Sequence, residues 1–329
     1  MLLSQEKTQH ARRWIDYWNA YWFPETTPQR LSVCRIVVVA AQLLLFLPSL
    51  ARQLNLLARN TDFIDPQLLI LAITALVPRD VFFTPVVFTG LYWVTMIAGI
   101  TTLIGLFTRT SAFVFAVGNW IFVAHAYSYG EEHHPEAILC ILLLLLAFSP
   151  SGGRLSIDAL RRRWRQRVSD DIPSSDRVET AIWPLRLTQV LLAFVYFSTG
   201  LSKLVYGGLD WINGYTLQQY ILQDALVRDV PLGLWLAQQH TLCVVLSIFT
   251  ILFELFFFIA LIIPRTVPYI LISGVAFHIG MLVTMAVPFF QHIILYAVFI
   301  DFERWKTWQW MSLAAFIFLL KVILYSLLR

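Results

Sequence analysis

An all-α, polytopic membrane bundle of about nine spanning helices, with interfacial amphipathic helices beside them, is the fold class this sequence predicts. Three observations predict it. Of 329 residues, 58% are hydrophobic and 13% are charged, where a soluble chain carries about 45–50% and about 25%. Mean hydropathy is +0.69. Apolar stretches recur near the length of about 20 residues that a helix needs to cross a bilayer. These values exclude a soluble enzyme, a disordered chain and a collagen-like fibre. The net charge of +4 comes from basic residues set between apolar stretches, so it reads as membrane topology and not as a nucleic-acid surface.

The whole chain, 1–329, reads as a single membrane domain. Residues 1–30 hold Trp14, Trp18 and Trp22 with Tyr17 and Tyr21 at helical spacing, the pattern of an interfacial helix. No apolar h-region precedes the first span, which is then expected to act as its own insertion signal. The spans expected in order are Ile36 to Leu50 (with Arg35 snorkelling at its start), Val86 to Phe107, Thr110 to Tyr129 and the shorter Ala137 to Pro150. Leu187 to Val205, Thr241 to Ile263, Val267 to Val287, the short Pro288 to Ile300, and Trp310 to Leu328 follow. Short stretches can cross where neighbouring helices bury their ends.

Orientation follows from lysines and arginines in the loops. The loop 151–186 carries eight arginines and is expected in the cytoplasm. Nine spans then place the N-terminus, Arg109, Arg265, Arg304 and Lys306 inside. Gly130 to Glu136, the segment Lys203 to His240 and the C-terminus fall outside. Ala51 to Pro85 runs against the rule, carrying Arg52, Arg59 and Arg79 on the outer side. The protein is thus expected in the plasma or inner membrane. Asp158 to Arg167 reads as a basic amphipathic helix against anionic headgroups, which makes membrane lipid an expected partner. Cys34, Cys140 and Cys243 are isolated and read as small buried hydrophobes.

Ionisable groups inside a bilayer cost several kcal/mol or more and demand an account. They are Lys203, Glu254 and His278, and more marginally His125, His292 and Lys321. Lys203 sits near the outer end of its helix, just before Gly207 and Gly208. It is either a snorkelling interfacial lysine or a partly desolvated one usable as a base. Glu254 and His278 lie at similar depth in successive helices, and a structural contact between them is expected. In EEHHP, the adjacent His133 and His134 lack the i, i+4 spacing of a helical metal pair, so no metal is expected. Topology puts His133, His134, Lys203 and Trp211 on one outer face. A base, an imidazole and aromatics suit a lipid-soluble, acidic, redox-active molecule such as a quinol, with Trp211, Tyr196 and His278 the candidates to hold it. No haem, flavin or nucleotide motif is present to carry redox chemistry.

YFSTGLSKLVYGGLDWINGYTL, together with EEHHP and the later LLLLLAFSPSGGRLSID, resembles the vitamin K-dependent gamma-carboxylase family, whose membrane part is the horizontally transferred transmembrane (HTTM) domain. RLSVCRIVVVAAQLLL, FELFFFIALIIP and FHIGMLVTMAVPFF resemble other helices of that family. The resemblance implies that Lys203 is the base activating a reduced vitamin K or menaquinol-type quinone. It implies His134 as the active-site histidine, with His133 in reserve. In that chemistry the deprotonated hydroquinone reacts with oxygen to give an epoxide and an alkoxide. The alkoxide takes a weakly acidic proton, carbon dioxide adds, and no metal is needed. Such a base must be kept dry. Beyond the last expected span no large extracytoplasmic portion like that of the animal enzymes is expected. The acceptor is therefore expected to be a peptide or small molecule, or to come with a separate partner protein. Two rival readings remain: a non-catalytic scaffold binding a partner through its arginines, and a proton-coupled transporter using Glu254 and His278.

Overall fold

The computed structural model describes residues 14–24, 28–47, 49–59, 65–130, 134–168 and 182–302, and every regular element among them is helical. Internal contacts divide the described residues into two compact units, one of those up to residue 187 with 301–302 and one of residues 188–300.

The first unit opens with α1, residues 14–22, whose Trp18 and Trp22 rings pack at 5.5 Å. Then come α2 (Gln29–Ala41), α3 (Leu50–Leu57), α4 (Leu68–Thr74) and α5 (Arg79–Phe82). α6 (Pro85–Ile104), α7 (Thr108–Tyr127), α8 (His134–Ala147) and α9 (Ile157–Val168) complete it. Local chemistry sets the boundaries. Thr84 accepts a hydrogen bond from the Val87 amide while Pro85 occupies the first turn. Gly105, at φ 71°, ends α6 in the left-handed conformation that glycine tolerates. α6 and α7 pack through small residues, because a Cβ at Gly118 would lie 2.0 Å from the Thr95 hydroxyl.

α2 departs from the expected first span. It starts seven residues earlier than Ile36 and continues through one π-helical stretch, Gln42–Phe46, so that the crossing segment is Gln29–Phe46. The physical reason is Arg35. Its guanidinium does not snorkel; it is wholly buried and donates to the carbonyl oxygens of Ser151 (3.0 Å) and Leu155 (2.6 Å). Where the helix widens, Gln42 donates to Asn119 Oδ1 on α7 at 2.6 Å. His125, another of the intramembrane ionisable groups, is fully buried, with Nδ1 2.9 Å from Gln53 Oε1.

The loop after α8 packs back onto the α6–α7 turn. The Asp158 amide donates to Gly105 O, and the Asp158 carboxylate accepts from the Phe107 and Thr108 amides and the Thr108 hydroxyl at 2.7–3.1 Å. Partial burial opposes ionisation of this carboxylate. These hydrogen bonds and the nearby Arg162 outweigh it and hold the pKa below the ordinary range. The expected basic amphipathic helix is present as α9, with Leu160 and Trp164 on its exposed surface.

The second unit holds most of α10 (Trp183–Gly207), then α11 (Tyr215–Arg228), α12 (Pro231–Leu236) and α13 (His240–Phe256). α14 (Ile259–Ile262), α15 (Val267–Met285) and α16 (Phe290–Leu295) follow. The segment after Lys203, expected on the outer side, is largely helical. α11 and α12 bury Ile221 and Leu236 against Cys243 and Met285. Across both units, all three cysteines are free and buried.

Six helices among the described residues are long and apolar enough to cross a bilayer, and Glu136–Ala147 and Phe290–Phe299 are shorter apolar helices. The nine expected spans therefore resolve into six clear ones and two short ones. The ninth, Trp310 to Leu328, and Lys321 within it, lie outside the described residues.

Candidate active site

The second unit gathers most of the expected site residues around α10. Tyr196, Gly200 and Lys203 follow one another at i, i+4 and i+7, one face of a helix. α13 comes against that face at Gly200, where an added Cβ would lie 3.0 Å from Glu254 Cβ and 3.1 Å from the Leu255 amide nitrogen. This close approach carries Glu254 to Lys203. The Lys203 ammonium donates to both carboxylate oxygens, at 2.9 and 2.7 Å. The lysine side chain is 19% exposed and the glutamate 7%. The pair is thus neither snorkelled nor solvated.

The Trp211 indole lies against the ammonium, with Lys203 Nζ 5.3 Å from its ring centroid. Gly207 makes this possible. A Cβ there would meet Trp211 Cδ1 at 2.2 Å, so the chain can fold the indole back along the helix end only with a glycine at this position. Tyr220 of α11 stacks on the indole at 6.0 Å.

About two helical turns from Lys203, Tyr196 is buried in a second cluster. Its hydroxyl lies 2.7 Å from His278 Nε2 and 2.6 Å from the Tyr296 hydroxyl. A hydroxyl donates once. The chain therefore runs either Tyr296 to Tyr196 to His278 or the reverse, and which way is set by where the imidazole carries its proton. His292 stacks on His278 at 5.0 Å with rings nearly parallel, and Phe257 stacks on Tyr196 at 4.3 Å. His278 Nδ1 is buried with no hydrogen-bond partner.

The expected contact between Glu254 and His278 is not formed. Glu254 takes Lys203 and His278 takes Tyr196, because Gly200 admits α13 to the lysine and leaves the imidazole to α10's preceding turn. Tyr296 escaped the sequence reading. Its signal was present: it follows His292 by four residues within an apolar stretch. His133 lies outside the described residues, and of His134 only the backbone, opening α8, is described. No group of three or more His, Cys, Asp or Glu able to hold a metal ion occurs among the described residues.

The family model for the HTTM domain matches residues 23–308. No curated protein and no solved structure matches the chain.

Proposed function

The chain belongs to the HTTM domain family, and from that premise we propose that it is an integral membrane enzyme whose Lys203 takes a proton from a reduced quinone. The HTTM domain is associated with the vitamin K-dependent carboxylases, and Lys203 stands in the lysine motif that resembles theirs. The single observation that carries the reading is the buried Lys203–Glu254 pair, its ammonium against the Trp211 indole.

An ammonium is no base, so the amine must first be freed. Both Glu254 oxygens lie within hydrogen-bond distance of Nζ, so a proton can pass from Lys203 to Glu254 with no movement of heavy atoms. In a dry site a separated pair of charges loses much of its advantage over a neutral amine and a neutral acid. The neutral pair presents a lone pair on Nζ. A hydroquinone hydroxyl can deliver its proton there, and the resulting anion would lie beside an ammonium. The aromatic surround fits such a flat apolar ring, and His278 Nδ1 is a buried polar atom with bonding capacity to spare. When bound, the reduced quinone supplies, through oxygen, the strong base that proton abstraction and carboxylation require. His134, with His133 as its reserve, is the proposed hydrogen-bonding partner to the quinol oxygen. The acceptor is proposed to be a peptide or small molecule, and carbon dioxide a co-substrate.

The test is oxygen consumption and epoxide formation by the purified protein given vitamin K hydroquinone or menaquinol. Lys203→Ala is expected to lower turnover by about 10²–10⁴-fold, the range for losing a general base. Wild-type turnover in that variant refutes the role.

A further inference from the structure

A second site lies wholly in the first unit. α6 and α7 leave an open groove of about 440 Å³ on their outer surface. Val94, Ile97 and Thr101 line it on α6, Leu106 and Phe107 at the turn, and Val114 on α7. Two of its three hydroxyls are already spent. Thr101 donates to the Ile97 and Ala98 carbonyls and Ser111 to the Thr108 carbonyl. What remains is a strip of hydrocarbon whose one other hydroxyl, that of Thr110, stands next to Arg109 at the Arg-rich end.

The Arg-rich end is different. Phe107 has φ 48°, a conformation that a bulky residue adopts only when its surroundings impose it. The surroundings are Asp158, which holds the Phe107 and Thr108 amides, and the loop packed on Gly105, where a Cβ would strike Ser156 at 2.2 Å. The ring is thereby fixed at the mouth of the groove, 67% exposed, with the Arg161 guanidinium 5.6 Å from its centroid. Arg109, exposed, precedes the lining residue Thr110. Asp158, the only acid of α9, is consumed by its hydrogen bonds and by Arg162. Positive charge thus stands at one end of an apolar channel, and exposed Trp164 and Leu160 on α9 mark that end as a membrane interface.

We infer that this groove binds one anionic phospholipid, an acyl chain lying along α6 and α7 and the headgroup phosphate held by Arg161 and Arg109. Charge complementarity selects the headgroup and the apolar lining selects the chain. The site is independent of the lysine chemistry in the other unit.

Native mass spectrometry of the full-length protein in detergent tests it, titrating phosphatidylglycerol against phosphatidylcholine with the same acyl chains. Phosphatidylglycerol should bind more tightly. Arg109→Gln and Arg161→Gln should each weaken it about fivefold, while Arg163→Gln and Arg165→Gln change it less than about twofold. Ile97→Trp, at a position 60% exposed, fills the groove without disturbing packing and should bring phosphatidylglycerol down to the phosphatidylcholine level. Equal losses from all four arginine variants would mean diffuse surface attraction and overturn the site. So would unchanged binding in Ile97→Trp, or displacement of the lipid by millimolar inorganic phosphate.

Discussion

The buried Arg35 and the partly buried Asp158 of the first unit end mainly on backbone, and Lys203 and Glu254 of the second end on each other. Arg35 is held by two carbonyl oxygens and Asp158 by two amides and a hydroxyl. A peptide carbonyl or amide does not change its protonation state, so these arrangements have one configuration and serve as rivets. Lys203 ends on a carboxylate, and Tyr196 ends on an imidazole and a phenol. Every member of those sets can give or take a proton. The same cost of burying polarity is met in one unit by groups that fix structure and in the other by groups that can exchange protons.

The sharpest way to break the contrast is at the Lys203–Glu254 pair. Lys203→Met should destabilise the protein by about 3–5 kcal/mol because it strands a buried acid, and adding Glu254→Gln should recover most of that loss. The double variant, folded, should remain inactive; unfolding in detergent and turnover measured on one preparation decide it. Next comes Arg35→Met, expected to cost about 3 kcal/mol from two lost charge-assisted hydrogen bonds. Here no second side-chain change should rescue stability, and a rescue would erase the distinction between the units.

Gly200→Ala sharpens the comparison further. Its methyl must push Glu254 by a few tenths of an ångström, which should slow turnover severalfold, short of the roughly 10²-fold cost of a 1 Å misplacement. Thermal stability should scarcely move. A variant that loses stability but keeps its rate would assign Glu254 to packing alone.

Asp158→Ala gives the smallest effect, about 1 kcal/mol, as for loss of a helix cap. The folded pKa of Asp158 lies below its unfolded value. Its contribution is therefore present above the unfolded pKa, near 3.9, and is lost as pH falls through the lower folded value. Wild type and Asp158→Ala should accordingly converge in melting temperature only at acid pH.

The helices were legible because composition and stretch length report directly on a bilayer, and α9 was legible from its arginine and apolar spacing. Lys203, Glu254 and His278 stood out because a charge in hydrocarbon is conspicuous. Their pairing did not, since partners across helices depend on which small residue lets two backbones meet. Gly200 is one glycine among fourteen, and nothing local marks it. Arg35 misled for a related reason: a basic residue at an apolar boundary looks interfacial until a distant loop supplies its carbonyls.

The widened stretch Gln42–Phe46 has a consequence of its own. A helix that bonds five residues back holds one more residue there than ordinary winding would fit into the same rise. Deleting a single residue from it would let the coil close to normal pitch and leave Arg35 at its anchorage. The membrane segment thus carries slack in its length, a place where the chain can lose a residue without shortening the span beyond use.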